Sequence, residues 1–209
     1  IGNDIDGVMG SSYGESFGWT VSTNENGNIV AIGAPESSGN AGANNGNVKV
    51  YELNGSNWIQ KGSKLNGNSS STGRFGDGLA ISKTGDFLVV GEPFFGGVGS
   101  NSGRVLVYKF ESTDWVQQGT PIQGLYSNDN FGSSVDINYN GNIIAIGSNG
   151  TNQNGKVSLY QFNGSDWIQL GSDILGISGD RSRFVSVDST GLTVAIGGGY
   201  SSLNGANSG

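Results

Sequence analysis

The chain has 209 residues, with 39 Gly, 3 Pro, no Cys, no His and a formal net charge of -7. Without Cys or His, disulfide frameworks, thiolate zinc sites, imidazole metal ligands and Ser-His or Cys-His catalytic pairs are excluded. Ten basic residues stand unclustered against 17 acidic ones, and no apolar run approaches the roughly 18 residues of a membrane span. Neither nucleic acid nor membrane insertion is therefore an expected partnership.

Taken in order, the chain is a set of repeats. Residues 1–7, with Gly2, Ile5 and Gly7, match the pattern that ends each later unit: Gly62-x-x-Leu65-x-Gly67, Gly119-x-x-Ile122-x-Gly124 and Gly171-x-x-Ile174-x-Gly176. In the first full unit, 8–67, Phe17-Gly18 opens an alternating run (Phe17, Trp19, Val21), which predicts a first strand. Asn26-Gly27 follows, a dipeptide suited to a two-residue hairpin turn in which both residues need positive φ. The continuous apolar run Ile29 to Gly33 predicts a buried second strand, and a long loop then leads from Ala34 to Asn47. Val48, Val50 and Tyr51 predict a third strand, Asn54-Gly55 a second tight turn, and the segment around Trp58 a polar fourth strand.

The next unit, 68–124, repeats this with Phe75-Gly76, Thr84-Gly85, Phe87 to Gly91, Tyr108 and Trp115. The third, 125–176, does so with Phe131-Gly132, Asn140-Gly141, Ile143 to Gly147, Tyr160 and Trp167. Residues 177–209 hold the first two strands of a further unit, ending its second run at Leu192 to Gly197; Arg181-Ser182 stand where the Phe-Gly pair falls in the other copies. No segment shows capped helical spacing. Four antiparallel strands per unit of about 50–60 residues, repeated in tandem, predict an all-β β-propeller. The opening inside a fourth strand and the close before a third predict part of a larger propeller, with the rest of the ring or another chain needed to close it.

The string Phe17-Gly18, Asn26-Gly27, Ala31-Ile32-Gly33-Ala34-Pro35 and Gly46-x-Val48-x-Val50-Tyr51 resembles the FG-GAP repeat of integrin-α-type propellers. Trp167 to Ile174 is similar to tandem propeller repeats of secreted proteins. The resemblance implies an extracellular, cell-surface or virion-surface protein, and it implies a propeller with no fixed function, since such propellers serve adhesion, ligand binding and assembly. Integrin-type repeats hold calcium in an Asp-rich loop between the first two strands. Here those turns are Thr23 to Gly27, Ser82 to Gly85, Asn138 to Gly141 and Asp188 to Gly191, which lack the carboxylate oxygens a hard cation requires. No metal and no cofactor are expected.

Positions that recur in every copy are scaffold, so Trp58, Trp115 and Trp167 are read as packing between blades rather than as a sugar-stacking ladder. Positions that differ between copies are the functional candidates. The residue after each Phe-Gly pair is Trp19, Asp77 and Ser133, with Arg183 at the equivalent place, and it falls at the mouth of the central channel. Long loops on that same face add Tyr13, Phe94, Phe95, Tyr126 and Tyr200. Aromatic residues gathered on one face point to a contact surface. The expected binding residues are thus Tyr13, Trp19, Phe94, Phe95, Tyr126 and Tyr200, for a protein or glycan ligand. The expected role is non-enzymatic: adhesion, ligand binding or assembly. Glu15, Glu36, Glu92, Asp129 and Asp180 fall on the same face, which leaves a carbohydrate-active enzyme as the alternative, with a structural filament repeat as a third reading. Asn54, Asn68, Asn149 and Asn163 stand in Asn-x-Ser/Thr motifs, open to glycosylation in a eukaryotic secretory pathway.

Overall fold

The computed structural model describes residues 2–7, 15–38, 44–68, 72–150, 155–176 and 182–198. These form antiparallel sheets and no helix. The first sheet runs β1 (Thr20–Thr23), β2 (Ile29–Ala34), β3 (Asn47–Asn54) and β4 (Asn57–Gln60), with β5 (Leu65–Asn66) also on β3. In the second, β6 (Leu79–Ile81), β7 (Phe87–Glu92) and β8 (Arg104–Glu111) are followed by β9 (Asp114–Gln117) and β10 (Ile122–Gln123), both paired to β8. The third holds β11 (Ser134–Ile137), β12 (Ile143–Ser148), β13 (Lys156–Phe162) and β14 (Trp167–Leu175). The fourth pairs β15 (Ser182–Val187) with β16 (Val194–Gly198). This is an incomplete β-propeller with its strands in sequential order.

The continuous apolar runs of the second strands have a simple cause. β2, β7 and β12 are middle strands with largely buried side chains, whereas β16 pairs only with β15 among the described residues and is largely exposed. In β7, Leu88 and Val90 join Ile29, Ala31, Val48 and Val50 in the core toward the first sheet, while Val89 joins Val135, Ile144 and Ile146 toward the third. Each such side chain, fully buried, contributes about 1.5–3 kcal/mol. The Phe of two Phe-Gly pairs sits in these cores, with Phe75 and Phe131 1% and 2% exposed, while Phe17 is half-buried outside them.

The turns between first and second strands are closed by a side chain at one recurring position. Asn24 Oδ1 accepts from the amides of Asn28 and Ile29, and Asn138 Oδ1 from those of Asn142 and Ile143. Ser82 Oγ accepts from Phe87, and Asp188 Oδ1 from Leu192 and Thr193. The oxygens in these loops thus serve backbone amides of their own turns.

The recurring Trp residues are seams between sheets. Trp115 Nε1 donates to the carbonyl of Lys61 in the first sheet (2.9 Å), and Trp167 Nε1 to that of Gln118 in the second (3.0 Å). Beneath each ring lies a glycine of the preceding unit: Gly62 under Trp115, Gly119 under Trp167 and Gly2 under Trp58. All three adopt positive φ (+74, +72 and +88), and a Cβ at any of them would stand 2.6–3.1 Å from the indole. Close approach and backbone conformation both require glycine there. The seam also breaks the outer strand in the first two sheets, giving β4 and β5, and β9 and β10. In the third sheet β14 runs on through Gly171, and two extra residues on β14 are taken up by a register shift between Val157 and Leu159.

Candidate functional site

The first strands of all four sheets begin around one cleft of about 510 Å³. Its walls include Trp19 from the first sheet, Arg74, Asp77 and Phe94 from the second, Asn130, Ser133 and Asn149 from the third and Phe184 from the fourth.

The Phe-Gly turns place these side chains. The residue before each Phe is left-handed without being glycine: Ser16 (φ +48), Arg74 (φ +57) and Asn130 (φ +51). Each carbonyl there accepts from the amide three residues on, that of Trp19, Asp77 and Ser133 respectively. The turn is clamped from the preceding unit's loop, where the carbonyls of Asn44 and Asn45 accept from the amides of Arg74 and Phe75. Left-handed non-glycine residues are strained, and strain of this kind collects at functional sites.

Arg74 organises the cleft. Its guanidinium lies 5.3 Å from the Trp19 ring and 5.4 Å from the Phe94 ring, measured to the centroids. Its Nε is 3.2 Å from Asp77 Oδ2 and its Nη2 is 3.5 Å from Glu36 Oε1, both off the hydrogen-bond direction, so these contacts are charge pairing. Asp77 Oδ1 accepts from Trp19 Nε1 at 3.1 Å, across 58 residues of sequence. Ser16 Oγ donates to Glu36 Oε2 (2.6 Å) and Asn130 Nδ2 to the Pro93 carbonyl (3.3 Å). Asn149 Oδ1 is buried in the wall and accepts no hydrogen bond. An exposed and a half-buried aromatic ring, Trp19 and Phe94, a cation, a carboxylate and amides therefore face one space.

Of the aromatic residues singled out in the sequence, Trp19 and Phe94 meet here. Phe95 and Tyr126 do other work. The Arg104 guanidinium lies 3.7 Å from the Phe95 ring centroid, and Lys156 Nζ 5.3 Å from that of Tyr126. Each of these cations belongs to a buried ion pair, Arg104 Nε to Glu92 Oε2 at 2.6 Å and Lys156 Nζ to Asp129 Oδ2 at 3.2 Å. Burial pushes the carboxyls of Glu92 and Asp129 up from their ordinary values, against the pull of Arg104 and Lys156. These two acids are structural pairs and are not free to act together in the cleft. Burial also pushes the hydroxyls of Tyr108 and Tyr160 up to about 12. Tyr13, Tyr200 and Asp180 lie outside the described residues. Of the sequon asparagines, Asn54, Asn68 and Asn163 are exposed, while Asn149 lines the cleft.

Arg74 and Phe184 are cleft residues that the sequence reading passed over. Both carried a signal: their equivalents in the other copies are Ser16 and Asn130, and Thr20, Gly78 and Ser134, so both positions vary where scaffold does not.

No protein-family model matches the chain, and no curated protein sequence does. Solved structures do. A Bacteroides fragilis protein assigned as a 6-phosphogluconolactonase superposes with a TM-score of 0.52 at 12% identity over 75% of this chain and 38% of its own. The periplasmic gluconolactonase of Pseudomonas aeruginosa gives 0.52 at 11% over 84% and 49%. TolB of Acinetobacter baumannii gives 0.51 at 9% over 85% and 36%. This chain thus spans less than half the length of each. The likeness establishes the propeller-like fold. It also corrects the expected function: the propellers that the chain resembles include lactonases, against the reading as a non-enzymatic adhesion or assembly module.

Proposed function

We propose that the cleft holds a sugar-derived substrate and that the chain is part of a carbohydrate-active enzyme, with hydrolytic opening of a sugar lactone as the reaction its residues fit. The observation that carries this is the Trp19–Arg74–Asp77–Phe94 arrangement. Aromatic faces suit the C–H face of a pyranose ring, and the guanidinium and amides suit its oxygens. Glycoside cleavage needs two carboxyl groups, one of them a proton donor. Among the described residues lining the cleft Asp77 is the one carboxylate, and both its oxygens face donors or positive charge. As the one carboxylate there, it is the proton acceptor that the cleft supplies. In the reaction Asp77 takes a proton from water as the water oxygen attacks the lactone carbonyl. The resulting oxyanion faces Arg74, and collapse breaks the ring C–O bond, returning the proton to the released hydroxyl.

The lactonase names of two structural neighbours support this reading, and the periplasmic one supports a place outside the cytoplasm. The shared geometry of the Phe-Gly turns supports kinship with FG-GAP-type repeats. The ligand is a sugar derivative on the long-loop face. The test is release of acid from an aldono-δ-lactone followed in a pH-stat. Asp77→Asn should lower kcat by about 10²-fold or more with KM little changed, and Trp19→Ala should raise KM. Wild-type turnover no faster than buffer, or an Asp77→Asn variant with unchanged kcat, would overturn the proposal.

A further inference from the structure

The seams described above repeat along the chain with one position left over. Gly2, Gly62 and Gly119 each lie under the Trp of the next unit, Trp58, Trp115 and Trp167. The residue after two of these glycines is bound as well: the Ser63 amide donates to Asp114 Oδ1 (2.7 Å) and the Thr120 amide to Asp166 Oδ1 (3.0 Å). An Asp-Trp pair at the head of a fourth strand is therefore what the preceding sheet receives. Gly171 on β14 occupies the same repeat position with φ +66, and none of the described residues comes within 4 Å of where its Cβ would point. Ile174 is 43% exposed, whereas its equivalent Ile122 is 9% exposed.

The fourth sheet is seated on the third as the second is on the first. The Val187 amide donates to Asp136 Oδ2 and the Tyr139 amide to the Ser189 carbonyl, matching Ile81 to Ser22 Oγ and Glu25 to the Lys83 carbonyl. Gly191 packs on Ile143 as Gly85 packs on Ile29. A strand added along β16, in the register by which β8 pairs with β7, would carry its hairpin partner over Gly171. Among the described residues that edge of β16 is unpaired.

We infer that the edge of β16 and the outer face of β14 at Gly171–Ile174 together form a docking site for a β-hairpin of the repeat's own kind. Its first strand reads Val-x-Val-Tyr and its second begins with Asp-Trp. Backbone pairing along β16 supplies affinity, and the indole over Gly171 with the carboxylate on the Ser172 amide supplies register. The occupant is a hairpin of this chemistry, rather than a whole second copy whose own Trp residues are already seated in its seams.

The probe is a synthetic peptide with the sequence of residues 103–124, titrated into the full 209-residue chain by calorimetry and followed by hydrogen exchange. One-to-one saturable binding is expected, with new protection at the Ser172 amide and along β16. The Trp115→Ala peptide should bind at least ~10-fold more weakly, as buried Trp anchors do. The proposal is overturned if no saturable binding appears, if the Trp115→Ala peptide binds equally well, or if the peptide is excluded by self-association of the chain through this face, which would make a second copy the occupant.

Discussion

The buried ion pairs of the second and third sheets solve one problem in two ways, and the difference can be transplanted. At the start of the third strand stands a buried cation, Arg104 in one sheet and Lys156 in the other. In the second sheet its carboxylate comes from the end of the second strand, Glu92, directly opposite Arg104 in the β7–β8 register. In the third, the residue opposite Lys156 is Ser148, and the carboxylate comes instead from Asp129, two residues before Phe131. The residue two before Phe75 is Gly73, and a Cβ there would run into the Glu92 carboxylate. The two carboxylate positions exclude each other. Glu92→Ser alone strands Arg104, whose side chain is 15% exposed, and should cost about 3–5 kcal/mol. Gly73→Asp alone forces a second carboxylate against Glu92 and should cost about as much through overpacking and like charge. The double variant rebuilds the arrangement of the third sheet and should lie within about 2 kcal/mol of the wild type. Urea unfolding of the four proteins in a double-mutant cycle measures this. A coupling energy near zero, with the double variant as unstable as the two losses added, would refute the reasoning.

Two further outcomes follow from the turns and the titrating groups. Asn138→Ala removes the acceptor for the amides of Asn142 and Ile143 and should cost about 2 kcal/mol, while Asn138→Ser should lose less, since Ser82 holds the same post; equal urea midpoints for the two variants would contradict this. Glu92 and Asp129, raised by burial, add stability that is full below the ordinary carboxylate range and is lost as pH rises through their folded values. Asp114, Asp166 and Asp188 work in the opposite sense. Backbone amides, chiefly those of Ser63, Thr120 and Thr193, hold these carboxyls low, so their contribution is present above the ordinary range and lost as pH falls. Replacing all three by Asn should flatten the acid-side fall of Tm, chiefly by lowering the neutral value towards the acid one; an unaltered acid limb would count against it.

The repeat made most of the architecture legible. Phe75 and Phe131 marked the cores, the Gly-containing turns marked the hairpins, and identical placement separated Trp58, Trp115 and Trp167 from any ligand ladder. The splitting of the outer strand was less visible, because it depends on an indole arriving from the next sheet and not on local propensity. The cleft was legible in part. Trp19 and Phe94 stood out as aromatic residues at variable places, whereas Phe95 and Tyr126 carry the same signal and are occupied in covering Arg104 and Lys156. Sequence gives no sign of that, since the cations reach them through strand pairing. Arg74 escaped because a lone arginine before a Phe-Gly pair looks like solvated surface until its left-handed backbone turns it between two rings.

That left-handed backbone has an evolutionary consequence. At Ser16, Arg74 and Asn130 glycine would relieve strain of order 1 kcal/mol, so selection for stability alone favours losing the side chain. Three repeats own one such position, and two of them, Arg74 and Asn130, project into the same cleft from a turn whose own scaffold is the adjoining Phe and Gly. Substitutions at one copy can therefore change one wall of the cleft while the other walls and the sheet cores stay as they are. A ring of this design can alter its specificity one wall at a time, and variants selected for heat resistance should drift toward glycine at these three positions and become blunter in what they recognise.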